Sequence, residues 1–229
     1  EELPKDASEF TRMVCCGNGM HKHCTTDLTS MKMDGTCPLC RTKTPTSYEE
    51  SVKQLRPWVK KKKAWAQMMM GQTYRDGKGV KQSYEMARML FELAAQQGDV
   101  AAMVKLGILY QEGRGVEQSY ERAVEYYEQA AQLGHANAQY NLGFMYDEGQ
   151  GVEQSDDKAR EWYEQAALLG EAVAQSNLGV MYCNGQGDEV SFTKARQYLE
   201  MAAEQGDSYA QTNLADMYEL GKGMPISLE

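Results

Sequence analysis

The sequence predicts an all-α fold in which helix pairs stack into a right-handed α–α superhelix, a solenoid of repeats. Three observations predict it. One 36-residue pattern recurs from Ala64 onward, paired glycines divide each copy into two halves, and the apolar residues of each half fall at helical spacing. A cysteine-rich segment near the beginning predicts a small separate domain ahead of the repeats.

The repeats define the expected organisation of the chain. A head spans residues 1–41, a basic and partly helical linker spans 42–63, and the repeats occupy 64–229. Four full units and a partial fifth are expected at 64–99, 100–135, 136–171, 172–207 and 208–229. No single helical hairpin can bury its apolar face alone, so the units must stack on one another.

A glycine recurs in the middle of the first helix of each full unit, at Gly71, Gly107, Gly143 and Gly179. A glycine inside a helix costs ~1 kcal/mol relative to alanine, so its recurrence indicates a compensating contact. Without a Cβ, a neighbouring helix can approach closely at this position.

The two helices of each unit are joined by a glycine pair, as in "EGQGV", which suits the positive φ of a helix cap and tight turn. A phosphate-binding loop is the alternative, but the preceding strand and the Lys-Ser/Thr of a P-loop are missing. A serine then precedes the second helix as its expected N-cap, at Ser83, Ser119, Ser155 and Ser191. The far side of that helix carries a glutamate in every full unit, expected to form a solvated acidic ridge: Glu92, Glu128, Glu164 and Glu200.

The pattern "AQxNLGxMYxxGxGV…KAxxWYEQAAxxG", clearest at residues 138–170, resembles the Sel-one-like repeat, a relative of the tetratricopeptide repeat. The resemblance covers residues 64–229. It implies a protein-binding scaffold without chemistry of its own, with a concave surface built mainly by the first helices.

Asparagines recur at one position of the first helices, at Asn141, Asn177 and Asn213. One interpretation is that their amides bind the backbone of an extended partner peptide. The alternative is that these amides, and the glutamines two positions earlier, satisfy carbonyl groups of the adjacent unit.

Charge and hydropathy exclude two classes of partner. Residues 1–63 hold 12 basic and 8 acidic side chains (+4), whereas the remainder holds 12 against 25 (−13). An acidic surface repels nucleic acid, so no nucleic-acid partner is expected. The sequence has no run of 18 apolar residues, so no membrane span is expected in this fragment.

Five of the six cysteines cluster near the start of the chain, with His21 among them: Cys15, Cys16, Cys24, Cys37 and Cys40. Thiolates and imidazoles at such short spacings favour a tetrahedral zinc ion in a reducing, intracellular compartment. Free thiols or disulfides are the alternatives. Cys183 is expected to be a buried structural thiol.

The cluster resembles the RING finger, over about residues 1–41. The resemblance implies that Cys15 and Cys16 form the second ligand pair, His21 and Cys24 the third, and Cys37 and Cys40 the fourth. A first pair is then expected ahead of Glu1, and the site of His21 and Cys24 is expected to be empty or distorted without it. His23 is interpreted as a bystander. Cys15 and Cys16 are adjacent where many RING fingers place one residue between them, and this makes Cys16 the better ligand.

The RING resemblance also implies a ubiquitin-conjugating enzyme as partner. Pro38, inside the last ligand pair, and Arg41, directly after it, match the residues with which RING ligases position the charged thioester. The first functional hypothesis is therefore an adaptor of ubiquitin-ligase type whose repeats select a substrate. The second is a non-enzymatic scaffold with a purely structural zinc finger.

The segment between head and repeats contains "SYEESVKQL", which predicts a short helix from Ser47, and the basic run at residues 60–63. This run is interpreted as a solvated cap on the first repeat, with a nuclear address or nucleic-acid patch as the alternative. Trp58 and Trp65 are expected to cover the apolar end of the repeats.

Overall fold

The computed structural model describes residues 45–222, and within this range all regular structure is α-helical. The helices are α1 Tyr48–Lys60, α2 Ala64–Asp76, α3 Tyr84–Ala95, α4 Val100–Glu112, α5 Tyr120–Gln132, α6 Ala136–Glu148, α7 Asp156–Leu168, α8 Ala172–Asn184, α9 Phe192–Glu204 and α10 Ser208–Glu219. The prediction of an all-α fold of helix pairs is confirmed. The RING-like domain expected before it lies outside the described residues.

The described chain divides into two compact units. The first contains residues 45–109 and 114–117, and the second contains 110–113 and 118–222, so the division passes through the end of α4.

The core of the first unit is built where α1, α2 and α3 meet. Leu55 of α1 is fully buried there, together with Met69 of α2 and Leu90 of α3. Trp58 and Trp65 pack against this core with their ring centroids 6.0 Å apart. The two tryptophans that were expected to cover the apolar end of the repeats thus pack on the apolar core beside the first repeat.

The core of the second unit joins consecutive helix pairs. Within it α6 packs on α7, α7 on α8, α8 on α9, and α9 on α10. Large side chains of the second helices, Tyr163 and Leu199, are completely buried against Leu178 and Leu214 of the first helices. Each pair therefore completes the core of the next, as repeat stacking requires.

At Gly71, Gly143 and Gly179 the recurring mid-helix glycine lies directly beneath a large, fully buried side chain of the second helix of its own repeat. A Cβ built on Gly71 would lie 2.5 Å from the ring of Phe91, and one on Gly143 would lie 2.7 Å from the ring of Tyr163. On Gly179 it would lie 2.6 Å from Leu199. The predicted close approach at this glycine is confirmed, and the contact explains why a residue with low helix propensity is retained there.

The turn between the helices of a repeat packs on the preceding repeat. Gly149 caps α6 at φ +65°, Gly151 follows at φ +71°, and a Cβ on Gly151 would collide with the backbone of Tyr120 and Glu121 at the start of α5. The predicted positive φ of the paired glycines is thus confirmed. The predicted serine caps are confirmed too, since each accepts a hydrogen bond from the backbone N–H three residues on: Ser83, Ser119, Ser155 and Ser191.

Helix α1 belongs to the repeat register rather than to an independent linker. Ser47, Tyr48 and Leu55 lie 36 residues before Ser83, Tyr84 and Phe91 and occupy equivalent places: Ser47 caps its helix, and the first unit's Gly79 turn packs on the backbone of Tyr48. The helix runs through Pro57 to Lys60, beyond the predicted segment, because Val52, Leu55, Trp58 and Val59 pack against α2.

Two expectations about individual side chains require correction. The glutamate ridge is half-buried rather than fully solvated, since Glu92 pairs with Arg88 at 2.5 Å and Glu164 pairs with Arg160 at 2.9 Å. Cys183 is only partly buried, with its Sγ 3.7 Å from the sulfur of Met217. The thiol still packs against the core, and this burial raises its pKa.

Candidate protein-binding face

The three asparagines occupy the same position on α6, α8 and α10, and each is half-buried: Asn141, Asn177 and Asn213. Each lies one residue before a buried leucine, namely Leu142, Leu178 and Leu214. The leucine fixes the rotation of the helix, so that the amide lies at the edge of the core with part of its surface exposed.

Asn177 belongs to a polar group that links two repeats. Its amide is hydrogen-bonded to the hydroxyl of Tyr163, a side chain that is fully buried. The Tyr163 hydroxyl also donates to Asp147 across 3.3 Å. Burial raises the pKa of Tyr163, with a further rise from the charge of Asp147, so the phenol stays protonated as a hydrogen-bond donor.

Asp147 is a half-buried carboxylate that the sequence analysis did not single out. Burial raises its pKa, while the hydrogen bond from Tyr163 lowers it. In the preceding repeat Gln111 occupies the equivalent position and accepts from Tyr127 at 2.7 Å. A register comparison of residues 111 and 147 would have indicated this pairing, because both follow the recurring tyrosine of the first helix by one residue.

Asn213 has a partner within its own helix. Its side-chain N–H donates to the carbonyl of Tyr209 at 2.8 Å. An amide has two N–H donors and one carbonyl acceptor, so a single bond of this kind leaves hydrogen-bonding capacity for a ligand.

The asparagine position changes in the first two repeats, where it holds Met69 and Lys105. Met69 is buried and Lys105 is half-buried, and burial together with the nearby Arg75 lowers the pKa of the Lys105 ammonium. Amide side chains at this position are therefore confined to the second unit. Sequence reasoning missed Lys105, although aligning the units in register reveals it.

The glutamines two positions before the asparagines serve the fold. The side-chain N–H of Gln139 donates to the carbonyl of Ala131 at 3.3 Å, and that of Gln175 donates to Ala167 at 3.1 Å. Gln211 reaches Ala203 at 3.4 Å. Each glutamine thus satisfies a carbonyl near the end of the preceding second helix, as one of the two interpretations of the amides expected.

Aromatic rings border the amides. Tyr140 stacks on Tyr163 with centroids 5.9 Å apart, and Phe144 lies one turn further along α6, partly buried against the core. Amides beside half-exposed rings can bind a peptide through its backbone and its apolar side chains.

Other predicted site residues fall outside the described part of the chain. These are the zinc ligands Cys15, Cys16, His21, Cys24, Cys37 and Cys40, and the proposed ligase residues Pro38 and Arg41. Among residues 45–222, no group of three or more His, Cys, Asp or Glu side chains is placed to hold a metal ion. In the same range, no helix has the length and hydrophobicity needed to cross a bilayer.

Comparison with protein families gives one match. The model of the Sel1 repeat matches residues 66–99, 100–135, 136–171, 172–207 and 208–228. A search of curated proteins gives no match.

Solved structures show the same similarity. A Sel1 repeat protein from Oxalobacter formigenes is 35% identical with a TM-score of 0.73, over 78% of this chain and 71% of that one. A protective antigen of uropathogenic Escherichia coli strains, described as having an SLR fold, is 33% identical with a TM-score of 0.77. That match covers 80% of this chain and only 39% of the antigen.

Proposed function

We propose, from the premise that this chain belongs to the Sel1 repeat family, that it is a protein–protein interaction scaffold whose repeats hold an extended segment of a partner protein. One observation carries the proposal. Half-buried amides recur at a single position on three successive first helices, Asn141, Asn177 and Asn213.

The amides are held in a way that suits recognition of a peptide backbone. A side-chain amide can donate to a peptide carbonyl and accept from a peptide N–H at the same time, so it recognises backbone rather than sequence. Partial burial and the bond to Tyr163 restrict Asn177 before any ligand binds. Less side-chain entropy is then lost on binding. The bordering rings of Tyr140 and Phe144 supply apolar contacts for ligand side chains.

Peptide selection with the full chain tests the proposal. A random peptide library is selected against the protein, and the peptides obtained are titrated against Asn141→Ala and Asn177→Ala. We expect each substitution to weaken binding on the order of tenfold, since each removes backbone hydrogen bonds of about 1–1.5 kcal/mol. Asn184→Ala, at the exposed end of α8, is the matched control and should bind like the unmodified chain. Peptides insensitive to both asparagine substitutions would contradict the amide site.

The cysteine cluster supports a second proposal, that the head binds zinc. Cys15 and Cys16 with Cys37 and Cys40 would supply the four thiolates of one tetrahedral site, and His21 with Cys24 would supply half of another. Elemental analysis of the purified chain should find about one zinc ion per molecule. Cys37→Ser with Cys40→Ser should abolish it, whereas Cys183→Ser should not. A metal-free chain would refute the proposal.

The ligase hypothesis rests on the resemblance of residues 1–41 to the RING finger, with Pro38 and Arg41 at matching positions. A version of the chain carrying a Cys-x2-Cys pair ahead of Glu1 is incubated with ubiquitin and a panel of conjugating enzymes. If the finger positions a charged thioester, ubiquitin transfer should occur and Arg41→Ala should reduce it. Absence of transfer with every conjugating enzyme would leave the non-enzymatic scaffold as the function.

A further inference from the structure

Helix α3 carries an exposed apolar stripe that the other second helices lack. Met86, Met89 and Leu93 lie on one side of the helix and are 39%, 49% and 44% exposed. At the equivalent positions the later repeats carry mostly charged or amide side chains: Arg122, Lys158 and Lys194, then Glu125, Glu161 and Gln197, then Gln129, Gln165 and Met201. The stripe is therefore a specific property of the first repeat.

The neighbouring helix α1 presents a basic side in the same direction. Since α1 shares the 36-residue register, its Lys53 is equivalent to Met89, and its Arg56 and Lys60 follow along the same exposed side. Leu55 of α1 and Leu90 of α3 belong to one core, in which α2 packs against both helices. The repeat register thus places the apolar stripe and this row of cations on the same side of successive second helices.

The carboxylates next to the stripe are already engaged. Glu85 accepts a hydrogen bond from the Ser83 hydroxyl at 2.9 Å, and Glu92 pairs with Arg88. Their charge is partly compensated. On α1 the exposed Glu49 lies one turn before Lys53 and offsets part of its charge, whereas Arg56 and Lys60 project into solvent. The charge of this face therefore selects an acidic ligand.

We propose that α1 and α3 form a docking surface for an amphipathic segment of a protein partner, with apolar side chains on α3 and carboxylates against α1. The stripe covers only two helical turns, far short of the ~800 Å² per partner of a stable interface. This size fits a short segment better than a second copy of the chain. Methionine side chains adapt to ligands of varied shape, which suits the recognition of such a segment.

A designed peptide tests the proposal. The probe is a fluorescein-labelled helical peptide of about 15 residues, with leucines at i, i+3, i+4 and i+7 and glutamates along one edge. The matched probe has lysine in place of glutamate. Fluorescence anisotropy with the full chain should show saturable binding of the glutamate peptide, weakened by salt, and much weaker binding of the lysine peptide.

Variants taken from the other repeats identify the surface. Met89→Gln with Leu93→Gln reproduces residues found at the equivalent positions, so the helix should fold normally. Binding should fall on the order of tenfold or more. Met201→Gln, at the position of Leu93 in the fourth repeat, should leave binding unchanged. Lys53→Glu with Arg56→Glu should weaken binding and remove most of its salt dependence.

Several results would overturn the proposal. These are equal binding of the two peptides, binding unaffected by Met89→Gln with Leu93→Gln, or no binding of the glutamate peptide. Binding of phosphatidylserine vesicles or of a single-stranded oligonucleotide in place of the peptide would assign the face to another partner class. Self-association lost in the Leu93→Gln chain would assign it to a second copy. Asn141→Ala and Asn177→Ala should leave peptide binding here unchanged, which separates this surface from the amide site.

Discussion

Gly143 and Tyr163 show how one residue pair sets the distance between two helices. The tyrosine ring fills the space that a side chain at 143 would need, with the carbonyl of Ala159 3.2 Å from the position of its Cβ. The glycine and the large buried residue 20 positions later are therefore a matched pair in this repeat. Gly71 with Phe91 and Gly179 with Leu199 repeat the contact.

Gly143→Ala tests this pairing. Helix propensity alone would stabilise the variant by ~1 kcal/mol. The collision with Tyr163 should instead lower the free energy of unfolding by about 1–3 kcal/mol, because the ring and helix must shift. Urea denaturation measures the difference.

Ala215→Gly is the control for Gly143→Ala. Ala215 occupies the equivalent position on α10 and is exposed, so this change should cost only the propensity difference of ~1 kcal/mol. A stabilised Gly143→Ala chain would mean that the helices separate freely at this contact.

Asp147 gives a pH-dependent prediction. Its pKa is raised above 3.8, so the folded chain holds the proton more tightly than the unfolded chain. Stability therefore falls as pH rises from near 3.8 through the folded-state pKa, and the cost is fully present at neutral pH. Asp147→Asn should raise stability near pH 7 by less than about 1 kcal/mol, a limit set by its partial exposure.

The same substitution should have little effect near pH 3, where Asp147 is protonated in both states. Thermal unfolding at the two pH values provides the comparison. Glu161→Gln, on the exposed side of α7, should change stability by less than ~0.5 kcal/mol at either pH. An equal gain from Asp147→Asn at both pH values would exclude a titration effect.

At the scale of elements, α1 occupies the place of a second helix although its sequence matches the repeat pattern only in part. Its cap and buried positions follow the 36-residue register, yet Lys62 stands where the later repeats have Gly98, Gly134, Gly170 and Gly206. Lys62 has φ +55°, in the region that those glycines occupy. The end of α1 thus keeps the positive φ found at the ends of the other second helices, although it has no glycine, the residue that adopts this φ most easily.

Lys62→Gly should accordingly stabilise the chain by about 0.5–1 kcal/mol, because glycine removes the steric cost of the positive φ. Lys61→Gly, one residue earlier at φ −79°, should be neutral or destabilising. Differential scanning calorimetry of both variants distinguishes them. A lower melting temperature for Lys62→Gly would show that the α1–α2 connection has another conformation in solution.

At the scale of the molecule, nearest-neighbour packing predicts that damage stays local. Leu55→Ala removes a fully buried side chain from the first unit. It should lower the free energy of unfolding by about 2–4 kcal/mol, the usual loss for a leucine cavity in a core. Hydrogen exchange should accelerate in α1 and α2 much more than in α8 to α10, since stability in a repeat protein is transmitted through adjacent interfaces.

Leu199→Ala should give the reverse pattern, because Leu199 lies in the core of the second unit. Hydrogen exchange measured by mass spectrometry follows both variants under identical conditions. Equal acceleration along the whole described chain in either variant would show a single cooperative unit instead.

The sequence by itself determined the features whose information is local or periodic. The 36-residue spacing fixed two helices per repeat, the serines fixed where second helices begin, and the glycine pairs fixed the turns, since caps and turns depend on neighbouring residues. The position of Asn141, Asn177 and Asn213 on the first helices followed from the same periodicity.

Only the tertiary structure decided which residues meet. The contact of Asn177 with Tyr163, the half-burial of Glu92 and Glu164, the continuation of α1 through Pro57 and the exposure of Met89 depend on helices that pack across turns and between repeats. A helical pattern states which side of a helix is apolar. Packing between elements distant in sequence decides which helix lies against this side and how much of it is buried.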